Sequence, residues 1–201
     1  VHIKASRITN LTDARYFAAK EVAYLGFNLE ENTEGYLEPM YMKAIREWVE
    51  GPLIAGEFER SPLPHVREAA AFFGLDAVEL PAAALLEQPD ALQGLRVLAT
   101  LEAKAPDLEL LMEKLAPHVA HFVLDLNGVL DADTGTVPRP DFWRACCARY
   151  PILLKADLGA AQWPQLLQSL QPAGISLVGG EEERVGVKSF DEIEAIFDVL
   201  G

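Results

Sequence analysis

The chain has 201 residues, 50 % of them hydrophobic, and sets 17 Lys+Arg against 31 Asp+Glu for a formal net charge of −14. This length and apolar content fit a single large domain, residues 1–201, with a substantial core. The charge excludes nucleic acid and anionic membrane surfaces as partners and disfavours a phosphorylated substrate unless a local pocket reverses its sign. No apolar run approaches the roughly 18 to 20 residues that span a bilayer, and the first residues lack the basic, apolar, small-residue order of a secretory signal, so a cytoplasmic protein is expected.

In chain order, short apolar runs alternate with amphipathic stretches. A strand over 2–6 ("HIKAS") is followed by a helix beginning at Thr12-Asp13, a strand over 22–27 and an irregular piece over 28–38. A helix opens at Glu38-Pro39, and a strand over 53–58 leads into a helix closed by Phe73-Gly74. Next come a strand over 77–80, a short helix over 89–94 and a strand over 96–100. The helix "APDLELLMEKLA", a strand over 121–126 and a second irregular piece over 127–139 follow. A helix opening at Pro140-Asp141, a strand over 152–156, the helix "WPQLLQSLQ" and a strand over 174–178 lead to a last helix, where Ser189 and Glu192 have capping-box spacing.

Eight strand-helix pairs in this length predict a compact (β/α)8 TIM barrel, an α/β fold, with an open doubly wound sheet as the competing architecture. In a barrel the irregular pieces over 28–38 and 127–139 lie on the C-terminal face, where such folds carry their chemistry.

Lys4-Ala5-Ser6-Arg7-Ile8-Thr9 followed by Asn10-Leu11-Thr12-Asp13-Ala14 resembles the opening of phosphoribosylanthranilate isomerases, which read Lys-Ile-Cys-Gly-Ile-Thr and then a helix start. The resemblance continues through "AYLGFNL", "GYLEPMYMKAI", "GLDAVEL", "HFVLDLNG" and "GVKSFDEIEAIF", and so covers nearly the whole chain. It implies a cofactor-free and metal-free Amadori rearrangement of an aminoaldose to an aminoketose in tryptophan biosynthesis. An acid opens the sugar ring and a base removes the C2′ proton. The acid falls on Asp125, and the base position holds Ser6 instead of cysteine.

A hydroxyl is far less acidic than a thiol, so Ser6 needs another group to take its proton. Lys4 shares its strand face and is a candidate base or Schiff-base former; the ordinary alternative pairs it with a carboxylate such as Glu79 or Asp125. Glu79 replaces the family's glutamine, Pro81 and Ala82 replace a His-Gly, and Gly35 falls where an arginine would meet the substrate carboxylate. Arg7, in place of glycine, has a ligand carboxylate, Asp125, the acidic loops or solvent open to it. Gly179 and Gly180 could still offer amides to a phosphate, but Asp157 and Glu181 to Glu183 surround that place with like charge. Arg184 and Lys188 offset part of it.

Other residues have structural readings. Adjacent Cys146 and Cys147 suit burial, and His2, His65, His118 and His121 show no metal-ligand spacing. Phe72, Phe73 and Trp143 sit at helical apolar positions that suit core packing. The expectation is an isomerase-like barrel, monomer or homodimer, that takes a small molecule such as a sugar derivative but turns over the phosphoribosyl substrate weakly or not at all. The alternative is a ligand- or partner-binding barrel without catalysis.

Overall fold

The computed structural model describes residues 1–178, 182–184, 187–188 and 190–200. Eight parallel strands close into a barrel in sequence order. They are β1 (His2–Ser6), β2 (Tyr24–Asn28), β3 (Leu53–Glu57), β4 (Ala77–Pro81), β5 (Arg96–Glu102), β6 (His121–Asp125), β7 (Ile152–Lys155) and β8 (Gly174–Val178). The open-sheet alternative is thereby excluded, because β1 pairs with both β2 and β8. Beyond the barrel, β9 (Glu182–Arg184) and β10 (Val187–Lys188) pair antiparallel.

The strands read as short apolar runs because both faces are covered, one by the barrel interior and the other by helices. Outward residues such as Leu25, Ile54, Val78 and Leu124 are buried beneath the helical layer. That layer consists of α1 (Leu11–Ala19), α2 (Pro39–Arg46), α3 (Leu63–Phe73), α4 (Leu108–Leu115), α5 (Pro140–Arg149), α6 (Trp163–Leu170) and α7 (Asp191–Leu200). Inside, Tyr24, Ala55, Ala77, Leu98, Val123 and Leu153 form a separate apolar plug, so the barrel is a packed core rather than a pore.

Several local expectations are corrected. Between β4 and β5 there is no α-helix; 3₁₀ turns over Ala82–Leu85 and Pro89–Leu92 replace it, and the predicted helix over 89–94 is only the second of these. The first α-helix is capped by Asn10, whose side chain accepts the Asp13 N–H, so Thr12 and Asp13 lie within its first turn rather than at its cap. Arg139 stands at the start of α5 with φ 52°, ahead of Pro140. Gly74 closes α3 with φ 64°, the left-handed conformation that glycine adopts at no steric cost. Ser189, the proposed cap of α7, lies outside the described residues. Trp143 is buried in the core, whereas Phe72 is 73 % exposed, because α3 turns that position away from the strands.

Candidate functional site

Strand register builds the site. Glu57 on β3 stands opposite Glu79 on β4. Around the other side, Glu102 stands opposite Asp125, Asp125 opposite Lys155, Lys155 opposite Ser176, and Ser176 opposite Lys4. Strand side chains alternate, so these residues share the inward face and form a polar belt above the apolar plug.

Lys4 is fully buried at the centre of one half of this belt. Its Nζ donates to Ser6 Oγ at 2.5 Å and to Glu57 Oε1 at 2.5 Å, and it stands 3.0 Å from Glu79 Oε2. An ammonium has three N–H groups, and three acceptors surround this one. Burial alone would push the Lys4 pKa down, but the charges of Glu57 and Glu79 outweigh it and hold the amine above its ordinary value. The two carboxylates therefore favour the ammonium form.

Of the two carboxylates, Glu79 keeps a proton more readily than an ordinary one. Burial is the main cause; Lys4 opposes it, and the neighbouring charge of Glu57 adds to it. Its contact with Lys4 is an ion pair without hydrogen-bond alignment: Oε2 is buried and has no hydrogen-bond partner among the described residues. Space for the cluster comes from Gly26 on β2, where a Cβ would collide with Glu57 Oε1 and come within 2.9 Å of Lys4 Nζ.

Ser6 accepts from Lys4, and its Oγ lies 3.0 Å from Ser176 Oγ. The hydroxyl is thus tied to a cation and a second hydroxyl, neither of which takes its proton. Arg7 follows with φ 55°, a left-handed conformation that L-residues rarely adopt. Its backbone N–H donates to Glu57 Oε2 at 3.2 Å, and its guanidinium reaches Glu59 at 3.5 Å.

On the far side, Asp125 Oδ2 lies 2.9 Å from Lys155 Nζ, and Oδ1 accepts the Asn127 N–H at 3.0 Å. One oxygen thus accepts a backbone N–H and the other is paired with a cation. Of the pairings open to Lys4, that with Glu79 is realised and that with Asp125 is not, because Lys155 takes Asp125. Arg7 likewise pairs with a carboxylate of the acidic loop after β3 rather than with Asp125.

A cavity of about 510 Å³ opens at this C-terminal mouth and brings together Ser6, Arg7, Glu79 and Asp125, with Lys4 beneath. Among the described residues five carboxylates line it, from Glu57, Glu59, Glu79, Glu102 and Asp125, against the cations of Arg7 and Lys155. Gly179 and Gly180 lie outside the described residues, as does Glu181. Gly35 has φ 73°, in a loop organised by buried Asn28, whose amide donates to Thr33 Oγ1 and the Glu34 carbonyl. Asp157 is exposed.

Sequence reading missed Glu57 and Lys155. The signal was present: each is a charge inside an otherwise apolar strand, at an even spacing from interior positions. Among the described residues no cluster of His, Cys, Asp or Glu has the arrangement of a metal site, and no helix is long and apolar enough to cross a membrane.

No protein-family model and no curated protein sequence matches the chain. Solved structures do. Phosphoribosylanthranilate isomerase from Thermus thermophilus is 22 % identical with a TM-score of 0.77, over 100 % of this chain and 98 % of that one. Monomers derived from the dimeric phosphoribosylanthranilate isomerase of Thermotoga maritima are 19 % identical with a TM-score of 0.74, over 99 % and 97 %. The N-acetylneuraminic acid synthetase of Leptospira borgpetersenii matches at 11 % identity and a TM-score of 0.71, over 100 % of this chain and 81 % of that one. One barrel shape thus spans different activities. At these identities the likeness is one of fold: the chain has the full-length (β/α)8 barrel of the phosphoribosylanthranilate isomerases.

Proposed function

We propose that this is a phosphoribosylanthranilate isomerase-like barrel that binds a small polar ligand in its mouth and has lost effective catalysis of the aminoaldose rearrangement. The observation that carries this reading is the engagement of Lys4 by hydrogen bonds to Ser6 and Glu57 and by an ion pair with Glu79. A base must have an open lone pair directed at the substrate. The amine of Lys4 has none, and the hydroxyl of Ser6 is held by a cation that lowers its ability to accept a further proton. Asp125, at the position the resemblance gives to the acid, is engaged by Lys155 and Asn127.

The balance of charge selects the ligand. Among the described residues five carboxylates stand at the mouth against the cations of Arg7, Lys155 and the underlying Lys4, so a dianionic phosphate meets net repulsion there. A neutral or cationic sugar derivative, such as an amino sugar, meets hydrogen-bond acceptors instead. The tryptophan-pathway reaction is then an ancestral activity, retained weakly or not at all.

Turnover of phosphoribosylanthranilate by the wild-type protein and a Ser6→Cys variant, each made in a host without its own isomerase, tests this reading. Little activity in both is expected, because restoring sulfur leaves the acidic mouth unchanged. High activity in the wild type would overturn the proposal, and strong rescue by Ser6→Cys would reduce it to the loss of one atom.

A further inference from the structure

A second cavity, of about 1150 Å³, lies outside the barrel mouth between α3 and the segment leading from β2 into α2. Phe58 is the wall it shares with the mouth. Its apolar lining includes Met40, Phe58, Phe72 and Phe73. Met40 is 55 % exposed and Phe72 is 73 % exposed, and two large apolar side chains exposed on one groove are the kind of grouping that marks an interaction surface.

The rim is acidic. Glu30, Glu31, Glu38 and Glu68 line the groove, and among the described residues no lysine or arginine does. Glu30 accepts backbone N–H groups from Glu59, Arg60 and Ser61 at 2.9, 3.0 and 3.0 Å. Burial works against ionisation there, but these donors outweigh it and keep the Glu30 pKa below the usual carboxylate value. The negative charge is therefore built into the rim.

Shape selects among cationic, apolar occupants. His65, Glu68 and Phe72 line the groove at spacings of three and four, the stripe that one face of α3 presents to a neighbouring element. Over its 11 residues α3 runs about 16 Å. The volume exceeds the roughly 300 to 1000 Å³ typical of small-molecule pockets. A helix whose apolar ridge enters the gap and whose lysines or arginines meet the glutamates fits both the length and the charge.

We propose that this groove docks an amphipathic, basic helix of about three turns from a partner protein. The test is calorimetric titration of the full chain with the synthetic peptide LKKLLKLLKKLLKL and with its Leu/Glu counterpart. Saturable 1:1 binding of the Leu/Lys peptide is expected, with none of the Leu/Glu peptide. Phe72→Ala and Glu68→Lys should each weaken binding about tenfold or more. Both side chains are exposed, so these variants keep the core. Glu113→Lys, at an exposed position on α4, is the control for general attraction to an acidic protein and should change affinity less than twofold.

Equal weakening by all three substitutions, or none by Phe72→Ala, would overturn the proposal. So would sedimentation showing a dimer of this chain that Phe72→Ala dissociates, since a second copy would then occupy the groove. Binding of phenethylamine at the affinity of the peptide, with the same dependence on Phe72, would assign the groove to small amines and equally contradict a helix.

Discussion

Lys4 Nζ and Glu57 Oε1 stand 2.5 Å apart inside the barrel, with the lysine side chain wholly removed from solvent. Such a pair contributes little when compared with a well-packed apolar replacement, because desolvation offsets its attraction. Breaking it is different, since the remaining carboxylates stay buried and unpaired.

Lys4→Met should accordingly destabilise the fold by about 3 to 5 kcal/mol, measured by urea denaturation. Combining it with Glu57→Gln and Glu79→Gln should recover part of that loss, because no buried charge is then left without a partner. Additive losses across the three substitutions would show that the cluster does not act as a unit.

Arg7 tests backbone strain. Its φ of 55° suits the glycine found at the matching position of the resembling family. Arg7→Gly should therefore stabilise by about 1 kcal/mol, or raise Tm by roughly 2 to 4 °C, with loss of the exposed Glu59 contact costing little. An unchanged or lowered Tm would mean that the guanidinium contributes more than the geometry indicates.

The N-terminal end of the barrel predicts a pH dependence. His121 packs edge-on against His2 with centroids 5.6 Å apart, and its Nδ1 lies 3.3 Å from the Tyr24 hydroxyl, which Arg96 also approaches at 3.5 Å. Burial, then the charges of His2 and Arg96, depress the His121 pKa below its ordinary value of 6.5. A depressed folded pKa means that the unfolded chain binds the proton first. This contribution to stability is full above pH 6.5 and is lost as pH falls through the lower folded value. Glu79, whose pKa is raised, gives the opposite slope, its contribution being lost as pH rises from 4.5. The urea midpoint at about pH 7.5 minus that at about pH 5.5 should therefore be more positive for the wild type than for His121→Gln, which leaves the opposing contribution of Glu79 unchanged. Equal differences would remove His121 from the account.

Much of the barrel was legible because strands covered on both faces become short apolar runs, and glycine and proline mark where they stop. The β4–β5 connection was not, since "PAAALLEQPDALQG" has helical composition but is cut by Pro89 into pieces too short for an α-helix. Within the site, the shared face of Lys4 and Ser6 followed from their spacing of two. The pairing of Lys4 with Glu57 did not, because it depends on the stagger between strands, which no single strand's sequence specifies. Phe72 shows the reverse limit: helical spacing marks a face, and only packing decides whether that face meets the core or a surface groove.

The most direct test of the central claim is steady-state conversion of phosphoribosylanthranilate by the wild-type protein, purified from a host that lacks its own isomerase. With Lys4 held toward its ammonium form, Ser6 bound to it and the mouth negative, weak turnover or none is expected, and Asp125→Asn should change it little. Rapid conversion that Asp125→Asn abolishes would contradict the account.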